Sequence, residues 1–133
     1  MKLYFIALLS LLGSCSAMSN KDPKADKICT QEFKMISVQF KDVNGATVPV
    51  ADFQTINKRL NKPMVQTNEG LPGYYIVASD ADLNTLSVKG DPIQVSARNP
   101  KTNQTVTASY VISGGIDACH IGKVSGPEII TVN

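Results

Sequence analysis

Apolar residues follow two different patterns along the chain. Residues 3–12 form an almost continuous apolar run, whereas beyond residue 34 apolar and polar residues alternate in short segments. Alternation places successive side chains on opposite faces, as in a half-buried β-strand. Residues 34–41 are the clearest case, because Ile36, Val38 and Phe40 share one face. The chain after residue 34 is therefore expected to form strands.

Further strands are predicted where the same pattern recurs between turn residues. The segments are 48–50 with 53–56, 64–66, 74–78, 93–98, 105–112, 119–124 and 128–132. Asn44-Gly45 supplies turn chemistry, 61–63 breaks the chain, and 99–103 connects a predicted hairpin. Residues 80–86 have room for one helical turn. Many short strands with turns about every ten residues favour an all-β, antiparallel sandwich or barrel.

The N-terminal apolar run has the features of a signal peptide. Lys2 precedes it, it is too short to span a bilayer, and it ends in Leu12-Gly13-Ser14-Cys15. That ending resembles the lipobox of bacterial lipoproteins, in which the cysteine receives the lipid. The alternative is an ordinary signal peptide cleaved near Ala17. Residues 1–15 are thus predicted as a lipoprotein signal ending at the lipidated Cys15, 16–27 as a flexible tether, and 28–133 as the folded domain.

The resemblance implies a location as well as an anchor. Acylated Cys15 would hold the protein in the membrane of the bacterial cell envelope after export. Residues 16–20 lack the acidic run that commonly follows the cysteine of surface-exposed lipoproteins in Bacteroidota-like bacteria. We therefore expect an outer-membrane anchor that faces the periplasm.

The charge balance of the chain argues against a nucleic-acid partner. The chain has 13 Lys and Arg against 11 Asp and Glu. Such a balance does not provide a phosphate-tracking surface, so no nucleic-acid partner is expected.

Cys29 and Cys119 remain as a pair once Cys15 is lipidated. In an oxidising compartment, a disulfide between them is the simplest interpretation. A metal or redox site formed by Cys119 and His120 is the alternative. Adjacent residues of a strand point to opposite faces, however, so these two would not readily chelate one ion.

Candidate metal and catalytic residues are few, and no cofactor is predicted. Asp80, Asp82, Asn84 and Asp91 stand at positions one, three, five and twelve of a calcium-loop spacing. Thr85 occupies the place where such a loop needs Gly, so a solvated loop is favoured over a calcium site.

A second candidate is catalytic. His120 lies near Asp117 and Ser125 in the chain, which raises the possibility of a nucleophilic triad. A structural histidine is favoured over that triad, because no Gly-x-Ser-x-Gly motif is present.

Two tyrosines are candidate contact residues. Tyr74 and Tyr75 should point to opposite faces of their strand, one into the core and one toward solvent or a partner. The alternative, which is favoured, is that the outward ring only covers an edge of the sheet.

Several segments together resemble a known group of proteins. They are Asp42–Gly45 followed by Val48–Ala51, then Gly73–Val77, and the closing Asp117–Pro127. These look like small lipoproteins of Bacteroidota-type bacteria whose domain is similar to the carboxypeptidase regulatory-like, transthyretin-like sandwich. The resemblance implies an Ig-like or transthyretin-like antiparallel β-sandwich of about seven to eight strands over residues 29–133. It carries no catalytic residues to positions of this chain.

The expected function is a non-enzymatic interaction or accessory module, held in the envelope by lipid, that binds a protein or glycan partner. One alternative is a small metal-dependent or hydrolytic envelope enzyme that uses His120 and Asp117. Another is a protein that binds a small apolar ligand between its sheets.

Overall fold

Eight strands and one short helix make up the ordered elements of the domain. The computed structural model describes residues 27–65, 71 and 73–133. The strands are β1 (Met35–Lys41), β2 (Ala51–Asn57), β3 (Lys62–Pro63), β4 (Tyr74–Ser79), β5 (Asp91–Arg98), β6 (Thr105–Ser113), β7 (Gly122–Ser125) and β8 (Ile129–Thr131). A 3-10 helix, η1 (Asp80–Thr85), follows β4. The prediction of an all-β sandwich with about eight strands is confirmed.

Two sheets face each other. One has three strands in the order β4-β1-β8, and the other has five in the order β3-β2-β5-β6-β7. The β5–β6 hairpin was predicted, and it pairs without interruption from Asp91 opposite Ile112 to Arg98 opposite Thr105. One pair departs from the expected antiparallel arrangement, because β8 runs parallel to β1. The chain leaves β7 in one sheet and crosses to the other, where it enters in the same direction as β1.

The core lies between the two sheets. The alternation in β1 behaves as predicted, since Val38 and Phe40 have no exposed surface and Ile36 has little. Strands β5 and β6 add the facing layer, which includes Val95 and Ile112. Burial of these aliphatic and aromatic side chains is the main force that holds the sheets together.

Some predicted strand boundaries were wrong. Residues 48–50 are not a strand; the amide of Val48 donates to the carbonyl of Phe40, and β2 starts only at Ala51. Residues 62–63 were expected to break the chain, but they pair with the end of β2, because the tight turn at 58–61 returns the chain at once. Proline is tolerated in β3 because β3 lies at the sheet edge.

The other strand expected nearby, at 64–66, does not form at Met64 or Val65, and Gln66 lies outside the described residues.

The sandwich has two distinct ends. Residues 27–34 enter β1 at one of them, which we call the entry end. By the strand registers, β2, β4 and β6 finish at this end, and β5 and β7 begin there. The turns at 42–46 and 99–104 lie at the opposite end. Cys29, Cys119 and His120, together with most of the candidate acidic residues, lie at the entry end.

Candidate functional site

At the entry end, the side chains of Thr30, His120 and Asp80 are joined by hydrogen bonds, with the imidazole between the hydroxyl and the carboxylate. We call this arrangement the Thr30–His120–Asp80 line. Nδ1 of His120 lies 2.7 Å from Oδ2 of Asp80, and Nε2 lies 2.9 Å from the hydroxyl of Thr30. The imidazole is mostly enclosed, with 22% of the side chain exposed. Because the Asp80 carboxylate can only accept, Nδ1 carries a proton and donates it. In the neutral ring Nε2 then accepts from the Thr30 hydroxyl.

Asp80 is fixed by the backbone around it. It is the first residue of η1, just after the helix cap at Ser79. Its carboxylate accepts the amide of Lys34 at 2.8 Å and the amide of Ile121 at 2.9 Å. Burial raises the pKa of Asp80, but hydrogen bonds from Lys34, His120 and Ile121 outweigh it, so the pKa lies below its ordinary value. One charged carboxylate therefore joins three segments of the chain.

The disulfide explains why Thr30 and His120 are neighbours. Cys29 and Cys119 are bonded, with their Cα atoms 5.2 Å apart, as predicted. Each is followed directly by one member of the line. The bond therefore brings residues separated by 90 positions into hydrogen-bonding contact.

The order hydroxyl, imidazole, carboxylate is also the order of nucleophile, base and orienting acid in hydrolases. A surface cavity of about 590 Å³ borders His120 and the segment 32–35. The carboxylate is Asp80, however, and not the predicted Asp117. Asp117 lies in the β6–β7 loop, where its carbonyl accepts from the Lys27 ammonium. Ser125 lies at the far end of β7, opposite Val111.

A second charged network lies beside the line and was missed by the sequence prediction. The Asp91 side chain has no exposed surface and accepts from Nε of Arg59 at 2.6 Å and from Asn57 at 2.7 Å. Arg59 also donates to the carbonyl of Thr85 at 2.9 Å. Burial raises the pKa of Asp91, but bonds from Arg59, Asn57 and Ser87 lower it to about 2. No local motif signals this pairing, because its partners are 32 and 34 positions apart.

The four residues of the calcium-loop spacing do not converge. Asp80 faces His120, and Asp91 faces Arg59. Asp82 is buried and caps η1, accepting the amides of Ser79 and Val65. Asn84 is exposed on η1. In the described part of the chain, no group of three or more His, Cys, Asp or Glu side chains is placed to hold a metal ion.

The two tyrosines divide as expected. The ring of Tyr75 packs against Phe40 and Phe53, and its hydroxyl accepts the amide of Val50 at 2.9 Å. Tyr74 points outward with 41% exposed. It borders a shallow groove of about 460 Å³ on the outer face of the three-stranded sheet, which Met35 and Ile129 also line. Tyr74 is thus available for contact, whereas Tyr75 is structural.

A small apolar depression lies at the other sheet. It measures about 410 Å³ and is bordered by Phe53, Ile56 and Pro63 along β2 and β3. It is at the sheet edge and not between the sheets, where the apolar-ligand hypothesis expected a cavity.

Two further findings bear on identity. Cys15 lies outside the described residues, and within the described ones no helix is long and apolar enough to cross a membrane. Searches of protein-family models, curated proteins and solved structures gave no match to this chain.

Proposed function

We propose that this chain is a lipid-anchored protein of the bacterial cell envelope, in which the sandwich is a non-enzymatic module that binds a protein or glycan partner. The anchor is Cys15, in the segment Leu12-Gly13-Ser14-Cys15. Export and acylation leave residues 16–27 as the tether and residues 28–133 as the domain. The protein then faces the periplasm from the outer membrane.

The observation that carries the proposal is the Cys29–Cys119 disulfide. Disulfides persist in exported proteins and are rare in reducing compartments. This one lies where the chain enters the domain, only 14 positions after Cys15. An apolar leader, a lipobox-like cysteine and a disulfide-closed domain form a consistent set for an anchored envelope protein.

The groove beside Tyr74 supports a binding role. It combines an exposed aromatic ring with two half-exposed aliphatic side chains, Met35 and Ile129. Polar groups of Ser37 and Gln39 also line it. Aromatic residues with apolar neighbours and polar groups at hand are typical of contact surfaces.

The anchor is tested by expressing the full chain in a bacterial host that acylates lipoproteins. We expect wild type to partition into the detergent phase and to carry a diacylglycerol mass on Cys15, whereas Cys15→Ser stays aqueous. Cys29→Ser is the matched control, because it removes a cysteine without removing the anchor. A wild-type protein that carries no lipid on Cys15 would overturn the proposal of a lipid anchor.

The partner is tested by crosslinking in intact envelopes. A photoreactive group at Tyr74 should capture a specific envelope protein or glycan. The same group at Thr107, on the exposed side of β6, is the control. Equal capture at both positions would show that the groove beside Tyr74 is not the binding surface.

A hydrolytic enzyme is the second candidate, and the Thr30–His120–Asp80 line is the observation that favours it. Cleavage of simple esters by the purified chain should then disappear in Thr30→Val and persist in Thr105→Val. Activity that survives Thr30→Val would exclude the Thr30 hydroxyl as the nucleophile and overturn this candidate.

A further inference from the structure

The entry end carries a cluster of exposed aliphatic side chains. Ile28, Val88 and Ile116 expose 96, 72 and 85% of their surface. Three separate segments supply them: the start of the domain, the loop between η1 and β5, and the loop between β6 and β7. Scattered single apolar residues are normal on a protein surface. Three exposed aliphatic residues brought to one end of the sandwich by separate segments are not such scattered single residues.

Backbone contacts hold these loops together. The amides of Gly114 and Gly115 donate to the carbonyls of Ser87 and Leu83 at 3.0 and 2.7 Å. A Cβ at Gly115 would lie 2.9 Å from a methyl of Val88. The disulfide then fixes Ile28 beside the same loop through Cys29. The segments that carry Ile28, Val88 and Ile116 therefore meet at this end of the sandwich, and we call these three exposed side chains together the entry-end patch.

Three lysines lie at the same end of the sandwich as the entry-end patch. Lys27, Lys58 and Lys89 are exposed there. Lys58 belongs here because its amide donates to the carbonyl of Pro92 at 2.8 Å, directly beside the loop that carries Lys89.

Three nearby carboxylates are not presented at the surface beside these lysines. Asp91 is paired with Arg59, and the carboxylates of Asp80 and Asp82 are enclosed and accept backbone amides. Asp117 and Glu32 are the exposed acidic residues among the described part of this end. Aliphatic side chains with lysines at the same end match the chemistry of an anionic lipid surface, in which apolar groups enter the headgroup region and cations meet phosphate.

The short distance in sequence between Cys15 and the start of the domain also favours a lipid surface as the partner of the entry-end patch. Lys27 is 12 positions after Cys15, and twelve residues reach at most about 40 Å. The sandwich therefore stays close to the bilayer, and the tether leaves from the end that bears the patch. We propose that the entry-end patch docks on an anionic lipid leaflet and orients the sandwich with its opposite end away from the membrane. This inference rests on the proposed lipid anchor.

The test uses the full lipidated chain reconstituted in vesicles. One set is phosphatidylcholine alone, and the other contains about 30% phosphatidylglycerol. Amide hydrogen exchange is followed at 86–90 and 114–118, with 42–46 and 99–103 at the opposite end as the reference. If the patch is docked in nine molecules of ten, exchange at the first two segments slows about tenfold on the anionic vesicles. About 0.5 M salt should weaken the protection.

Variants make the test specific. Val88→Ser with Lys89→Glu should abolish the protection. The matched control is Val43→Ser with Lys101→Glu at the opposite end, where Val43 exposes 73% of its surface, and it should leave the protection intact. Both pairs of changes lie in exposed loops, so both proteins are expected to fold.

The outcomes separate the two proposals. A diacylglycerol on Cys15 with equal exchange on both kinds of vesicle overturns the docking surface and leaves the anchor standing. Protection that appears only when an envelope extract is added assigns the patch to a protein partner and also overturns lipid docking. A chain without lipid on Cys15 overturns the anchor and, with it, the docking surface.

Discussion

The substitution Asp91→Asn tests whether the ion pair between the buried Asp91 carboxylate and the half-exposed Arg59 side chain holds the entry end together. In the native protein both Asp91 oxygens are occupied, because Arg59 donates to Oδ1 at 2.6 Å and to Oδ2 at 2.8 Å. Asn57 adds a bond to Oδ2 at 2.7 Å. An amide removes the negative charge and replaces one oxygen with a donor, which must face another donor. The β2–β3 turn would then lose its charged contact with β5.

The size of the effect follows from the pKa of Asp91, which falls from 3.8 to about 2. Such a difference corresponds to about 2 kcal/mol of stabilisation at neutral pH. The unmatched donor in the variant adds a further penalty of about 1 to 2 kcal/mol. We expect Asp91→Asn to lower the free energy of unfolding at pH 7 by about 3 to 4 kcal/mol. Domains of this size have about 5 to 15 kcal/mol in total, so the loss is easily measured.

The stabilisation that Asp91 contributes should depend on pH in one direction. A carboxyl group whose pKa is lowered by folding contributes fully above its unfolded value of about 4. The contribution is lost as the pH falls through the folded value of about 2. The difference in stability between wild type and Asp91→Asn should therefore be constant from pH 7 to 5 and shrink toward pH 2. The lowered pKa of Asp80 affects both proteins alike and cancels in the comparison.

The assay is urea unfolding at a series of pH values, followed by circular dichroism. Asp52→Asn is the matched control, because Asp52 also pairs with an arginine, Arg98, at 2.7 Å, but 65% of its side chain is exposed. Exposed pairs contribute about 0 to 1 kcal/mol, so the control should change little. Equal stability of wild type and Asp91→Asn at pH 7, or a difference that is undiminished at pH 2, would refute the reasoning.

Three further substitutions test other contacts, each by urea unfolding. Cys119→Ser removes the disulfide that closes the loop from 29 to 119, and the chain-entropy model predicts a loss of about 4 to 5 kcal/mol; unchanged stability under oxidising conditions would contradict this. Gly126→Ala should cost about 2 to 4 kcal/mol, because φ is +132° and a Cβ would lie 2.6 Å from Cγ of Tyr110. Tyr110→Phe removes the hydrogen bond from the Tyr110 hydroxyl to the carbonyl of Pro127 at 2.7 Å and should lower the stability by about 1 kcal/mol. An unchanged midpoint of urea unfolding would show that this bond does not stabilise the fold.

Prediction from the sequence succeeded where the period of two fixes which face is buried. In β1, one register buries Val38 and Phe40, and the other would expose them, so the pattern alone determines the strand. The β5–β6 hairpin is equally determined, because its strands alternate and a short turn joins them. The disulfide was predictable because the predicted domain, residues 28–133, contains only two cysteines.

Prediction failed where distant pairing decides the structure. Lys62–Pro63 is a strand only because the end of β2 lies beside it. The carboxylate partner of His120 was sought at Asp117, three positions away, but Asp80 supplies it from 40 positions away. The Arg59–Asp91 pair has the same character. Sequence proximity carries little information about such side-chain contacts, since the order of strands in the two sheets sets them.

The distribution of these strong contacts has a mechanical consequence. At the entry end, a disulfide, a charged carboxylate with three partners and the Arg59–Asp91 ion pair each join segments that are distant in the chain. At the opposite end, the charged pair is the exposed Arg98–Asp52 contact. A pull on residues 27–28 therefore passes through Cys29 into Cys119, and so to the start of β7, without first peeling β1 from its sheet. The proposed anchor at Cys15 would load the domain from its N-terminus, which is the end where these covalent and charged ties lie.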